Sequence, residues 1–81
     1  MNITVQFFSY FKDLTGCAAT RVKLPEGGTL DDLVHELNRS FPKLAAMERS
    51  MLIAVGVEYQ RRDHLLAEGD EVSLFPPVQG G

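Results

Sequence analysis

Few residues in this chain have the type and spacing to do chemistry, and most of them have an ordinary structural explanation. Cys17 stands beside Ala18 and Ala19 with no neighbouring His or Arg cluster to stabilise a thiolate, so it reads as a small, partly buried side chain and not a nucleophile. His35 and His64 are far apart and neither belongs to a metal-ligand motif. Gly27-Gly28 precedes a helix, yet neither phosphate-cradle motif is present and Pro25 already accounts for a turn. Arg61-Arg62 is a lone basic doublet, best explained by a solvated loop. Glu68, Asp70 and Glu71 read as turn and strand-edge polarity that could also suit a basic partner surface.

The remaining candidate is the run Phe75-Pro76-Pro77-Val78-Gln79-Gly80-Gly81. Two prolines stiffen the chain into an extended form and cannot continue a sheet, so residues 76–81 are expected to project as a tail from a domain of residues 1–75. Gly80 and Gly81 carry no side chain and can thread a channel too narrow for a Cβ. Six extended residues span at most roughly 20 Å, enough to deliver a carboxylate to another protein's active site. If the chain stops at Gly81, its α-carboxylate is the reactive group. A carboxylate is a poor electrophile, so its chemistry must begin with activation, typically as an acyl-adenylate made from ATP by a partner. The plain alternative is a frayed end. Against it stands the conjunction of a core-facing last strand, an aromatic Phe75, a Pro-Pro stiffener and a Gly-Gly stop.

The elements that must hold such a tail can be read from periodicity. Ile3, Val5 and Phe7 alternate with polar residues and predict a strand; Tyr10, Phe11 and Leu14 predict one or two helical turns ended by Gly16. Thr20, Val22 and Leu24 predict a second strand, paired with the first as a hairpin and stopped at Pro25. Thr29 begins the main helix as its N-cap, with Asp32 as a weaker stand-in for the Glu of a capping box, and Leu30, Leu33, Val34, Leu37 and Phe41 form one apolar stripe. His35, Glu36 and Arg39 point away from that stripe, and Pro42 ends the helix at about Ser40 or Phe41. A short helical stretch near Leu44 to Glu48 precedes a strand over Met51 to Val57, where Gly56 suggests a bulge. Glu71 to Phe75 is the last strand, with Val72 and Leu74 toward the core and Phe75 exposed on the opposite face. The order, with about four strands and one good helix, predicts an α+β fold of β-grasp (ubiquitin-like) type, a mixed sheet with one main helix packed across one face.

Composition narrows the function classes. The chain has 81 residues, a formal net charge of −3 and 44% hydrophobic residues, which is one small domain with too little material for a deep cleft of its own. That argues against a self-contained enzyme. The acidic balance argues against nucleic acid or an anionic membrane as chief partner. The longest apolar run, Met51 to Val55, is far short of a membrane span, no basic residue precedes Lys12 to open a signal peptide, and one cysteine excludes an internal disulfide. The expected location is cytoplasmic.

The stretch Gly69-Asp70-Glu71-Val72 followed by Pro76-Pro77-Val78-Gln79-Gly80-Gly81 closely resembles the ending of the small subunit of molybdopterin synthase, a family of sulfur carriers. Val5 to Phe11, with Leu14 and Gly16, resembles that family's first strand and short helix, and Leu24 to Leu30 its turn into the main helix, so the similarity spans nearly the whole chain. One departure is Gly56, where family members often have Asn.

The resemblance implies a non-catalytic carrier subunit bearing sulfur as a C-terminal thiocarboxylate on Gly81. A ubiquitin-activating-like adenylyltransferase would use ATP to activate Gly81, and a sulfurtransferase or cysteine desulfurase would supply sulfur. The tail would then enter the large synthase subunit, which supplies the catalytic residues, and donate sulfur to cyclic pyranopterin monophosphate to build the molybdopterin dithiolene. The chain itself would bind no metal and no cofactor. Phe75 would be the docking anchor, joined by Pro76, Pro77 and Val78 and extended by Phe7 or Phe8, in a heterotetramer of two small and two large subunits. The alternatives are a carrier for thiazole, cysteine or tRNA thiolation, a ubiquitin-like modifier, and a non-covalent β-grasp binding module.

Overall fold

The computed structural model describes residues 1–77. Strand β1 spans Asn2–Phe7, helix α1 Phe11–Thr15, β2 Ala19–Lys23, helix α2 Leu30–Ser40, β3 Leu52–Val55, β4 Glu58–Tyr59 and β5 Glu71–Phe75, with a 3₁₀ segment at Pro42–Met47. The strands form one mixed sheet in the order β2-β1-β5-β3-β4. β1 pairs antiparallel with β2 and parallel with β5, and β3 pairs antiparallel with β5 and with β4. The last strand in the chain is thus the central strand of the sheet.

The alternation in β1 and β5 puts Ile3, Val5, Phe7, Val72 and Leu74 on one face, all essentially inaccessible to solvent. Helix α2 covers that face with Leu30, Leu33, Val34 and Leu37, the stripe read from the sequence. Thr29 and Asp32 form the capping box: the Thr29 side chain accepts from the Asp32 amide at 3.3 Å, and the Asp32 carboxylate accepts from the Thr29 amide at 2.9 Å. The next orphan amides of the helix, those of Leu30 and Asp31, donate to the carbonyls of His64 and Arg62. Arg62 fastens the same loop, its guanidinium donating to Asp31 Oδ1 at 2.9 Å and to the Glu48 carbonyl at 2.8 Å. Helix position relative to the sheet is therefore fixed along its length by packing and at its N-terminus by a polar clamp.

Two expectations are corrected. There are five strands, not about four: β4 has only two residues, both exposed, and carries no period-two signal. Gly56 does not form a bulge. With φ +62° it is the first residue of a two-residue turn, Gly56-Val57, joining β3 to β4, because a hairpin connection of this kind needs a left-handed first residue. Asn also tolerates that region, so the departure from Asn at this position leaves the turn intact.

Candidate functional site

The face of the sheet away from α2 has no covering element among the described residues. Register decides what it displays. Gln6 lies opposite Ser73, and one step further along the parallel β1/β5 pair the Phe8 amide donates to the Leu74 carbonyl, bringing Phe8 beside Phe75. From the other side, Leu52 lies opposite Phe75, Ala54 opposite Ser73, and Tyr59 opposite Ala54. Phe8, Phe75, Leu52, Ala54 and Tyr59 accordingly share the open face as one apolar strip at the end of β5, where Pro76-Pro77 begin.

The rings in this strip have defined geometry. Phe8 and Phe75 stack with centroids 4.6 Å apart and planes 13° from parallel, and Tyr59 meets Phe75 edge-on at 6.4 Å and 77°. Phe75 is half-buried between them, less exposed than its bare alternation suggests, while Tyr59 remains 68% exposed and Leu52 36%. Pro76 and Pro77 are also half-buried. Toward β2 the same face becomes polar, with Gln6 Nε2 donating to Glu71 at 2.9 Å and Arg21 and Lys23 exposed. The strip and Pro76-Pro77 thus lie at one end of the sheet and the charged residues at the other.

Of the residues singled out from the sequence, Phe8, Phe75, Pro76 and Pro77 are brought together here. Phe7 is not: it is 2% exposed, on the helix-covered face, and packs edge-on against Phe41 at 5.5 Å. Adjacent residues in a strand face opposite ways, so only one of the Phe7-Phe8 pair can join Phe75, and register selects Phe8. Val78, Gly80 and Gly81 lie outside the described residues. Leu52 and Ala54 carry no signal because the Met51 to Val57 run is too uniformly apolar to reveal its faces, and Tyr59 carries none because it stands in a two-residue strand. The signals that place them are the antiparallel register of β3 with β5 for Leu52 and Ala54 and that of β3 with β4 for Tyr59.

Cys17 and His35 lie away from this strip. Cys17 is half-buried, with its Sγ 3.8 Å from Thr15 Oγ1. His35 is exposed on α2 and sits by Asp31 of its own helix. Among the described residues no three His, Cys, Asp or Glu side chains are grouped to hold a metal ion, and no helix is long and apolar enough to cross a membrane.

A mixed five-stranded sheet with one long helix across it, and with its central strand ending beside an open apolar face, defines a ubiquitin-like β-grasp protein. A solved structure described as subunit 1 of molybdopterin converting factor from Pyrococcus furiosus matches with a TM-score of 0.89 and 30% identity, covering 96% of this chain and 99% of that one. The chain belongs to the ThiS family, whose model matches residues 5–81. A curated relative, the molybdopterin synthase sulfur carrier subunit of Escherichia coli, is 36% identical over 98% of this chain and 99% of its own length. The complex of subunits 1 and 2 of the molybdopterin-converting factor of Helicobacter pylori contains a similar chain, with a TM-score of 0.73, 26% identity and full coverage of both.

Proposed function

We propose that this protein is the sulfur carrier subunit of a molybdopterin synthase and that its reactive group is a thiocarboxylate on Gly81. The observation that carries the reading is the aromatic strip of Phe8, Phe75 and Tyr59 at the root of a Pro-Pro-Val-Gln-Gly-Gly tail. A docking face and a tail are what a carrier must supply, and full-length similarity to a curated sulfur carrier subunit supports the assignment. The Helicobacter pylori complex supports a large synthase subunit as the partner.

The chemistry follows from the end group. A carboxylate is resonance-stabilised and unreactive, so an adenylating partner converts Gly81 to an acyl-adenylate with ATP, and sulfur from a donor protein then replaces AMP. The resulting thiocarboxylate is a softer and better nucleophile than the carboxylate. Enclosure of the side-chain-free end in the large subunit protects it from water while it attacks cyclic pyranopterin monophosphate. The carrier contributes reach and a docking surface; the large subunit contributes the acid, the base and the substrate pocket.

Intact mass spectrometry of the protein from cells that contain the activating system tests this directly. The expected result is a fraction heavier by one oxygen-to-sulfur exchange, localised to Gly81 by fragmentation. Gly81 found instead in isopeptide linkage to lysines would replace the carrier reading with that of a modifier.

A further inference from the structure

Resting on the docking reading above, we infer that Arg62 is a positioning residue for docking: from outside the aromatic strip, its guanidinium holds the edge strand that presents Tyr59. Strand β4 is poorly secured by its own residues. It lies at the edge of the sheet, is two residues long with both exposed, and pairs with β3 only through Ala54 with Tyr59 and Val55 with Glu58. So short a ladder is marginal by itself. Nor is it braced from the side, since Tyr59, Gln60, Arg61 and Arg62 border an open groove of about 730 Å³.

The residues after Tyr59 supply the missing hold. The Gln60 amide donates to the Ile53 carbonyl at 3.0 Å, which extends the ladder by one bond, and the chain then leaves the sheet for the N-terminus of α2. There Arg62 is tied to two other elements. Its carbonyl accepts from the Asp31 amide at 2.9 Å, while its guanidinium donates through Nη1 to Asp31 Oδ1 at 2.9 Å and through Nη2 to the Glu48 carbonyl at 2.8 Å, just past the 3₁₀ segment. Donors of one planar group that end on two elements fix direction as well as distance, and the side chain is only 33% exposed, which limits competition from water. Arg49 and Arg61, the other arginines of the groove, make no ion pair among the described residues. Tyr59 stands three residues from the tie, at most about 10 Å of chain. β4 is thus anchored by Arg62 on one side and by the Gly56-Val57 turn on the other, and this places the Tyr59 ring edge-on to Phe75. Helix α2 depends on Arg62 less, because its capping box and apolar stripe are independent of the guanidinium.

The test uses Arg62→Met, which keeps the apolar stem and loses both donors, with wild type, Tyr59→Ser and the double variant in titrations of the purified large subunit, alongside proton NMR of the free full-length carriers. Arg62→Met is expected to bind about fivefold more weakly, and to add less than about 1.5-fold in the Tyr59→Ser background, because its effect passes through that ring. In the free variant the Tyr59 to Phe75 ring contacts should weaken and the Gln60 amide should exchange at least about tenfold faster, while the Phe8 to Phe75 contacts persist. Arg62→Lys, a single ammonium without the fork, is expected to recover part of the affinity. An equal loss with and without the Tyr59 ring would make Arg62 a general structural residue and overturn the inference. Unchanged binding with the Tyr59 to Phe75 contacts intact would overturn it too, and in both cases the docking reading stands. A wild type that does not bind the large subunit would overturn the docking reading itself, and with it any docking role for Arg62.

Discussion

The two faces of this sheet are built from the same strands, and they are built differently. On the covered face Ile3, Val5, Phe7, Val72 and Leu74 reach 0–2% exposure under the aliphatic stripe of α2. On the open face the residues between them form an apolar strip at the tail end and a polar field at the other. Dense packing fixes the covered face, so its energetics belong to folding. The strip on the open face is held by ring contacts and has no element packed over it among the described residues, so it retains exposed apolar area at Tyr59 and Leu52. A period-two strand lets one short sequence serve two ends, with stability in one set of side chains and, on the proposed docking reading, recognition in the set between them.

Substitutions can break or sharpen that division. The largest expected effect lies beyond the strip: deleting Gly81 should reduce sulfur transfer to background in a reconstituted synthase while leaving the thermal midpoint unchanged. A comparable loss of stability would make the tail part of the fold. On the covered face, Phe7→Ala should cost about 3–5 kcal/mol in urea denaturation, because it removes a fully buried ring packed on Phe41. On the open face, Phe75→Ala should weaken binding to the large subunit by about 2 kcal/mol, roughly thirtyfold in Kd, yet lower folding stability by only about 1 kcal/mol. Equal binding by mutant and wild type would remove Phe75 from the interface. Thr29→Ala, which dissolves the capping box of the covering helix, should cost about 1 kcal/mol with no change in affinity. Smallest in folding terms is Tyr59→Ser, expected to shift stability by less than about 0.5 kcal/mol while still measurably weakening association.

The fold was legible where periodicity is strong. The capping box at Thr29 and Asp32, the left-handed cap at Gly16 with φ +77°, and the alternation in β1 and β5 all follow from local rules, and the structure has each of them. What local pattern does not contain is register. Whether Phe7 or Phe8 meets Phe75 depends on how β1 lies against β5, a pairing of residues more than sixty positions apart. The same holds for Leu52 and Tyr59, which enter the strip only through the β3/β5 and β3/β4 pairings. β4 escaped notice because two exposed residues carry no periodic signal, and Gly56 suggested the wrong device because a lone glycine in an apolar run marks a bulge as readily as a turn. The reading of residues 76–81 rests on composition and order alone, and Val78 to Gly81 lie outside the described residues.

The central position of β5 also bears on how the protein is made. This strand is the last of the five to leave the ribosome, yet both β1 and β3 need it as a neighbour, so the sheet stays split until synthesis has passed Phe75. A nascent or prematurely terminated chain then has no aromatic strip to offer, because Phe8 and Tyr59 converge only when Phe75 slots between them. On the proposed carrier reading, a chain terminated before Phe75 would lack both the docking strip and the Gly81 carboxylate, so incomplete copies would not occupy the partner.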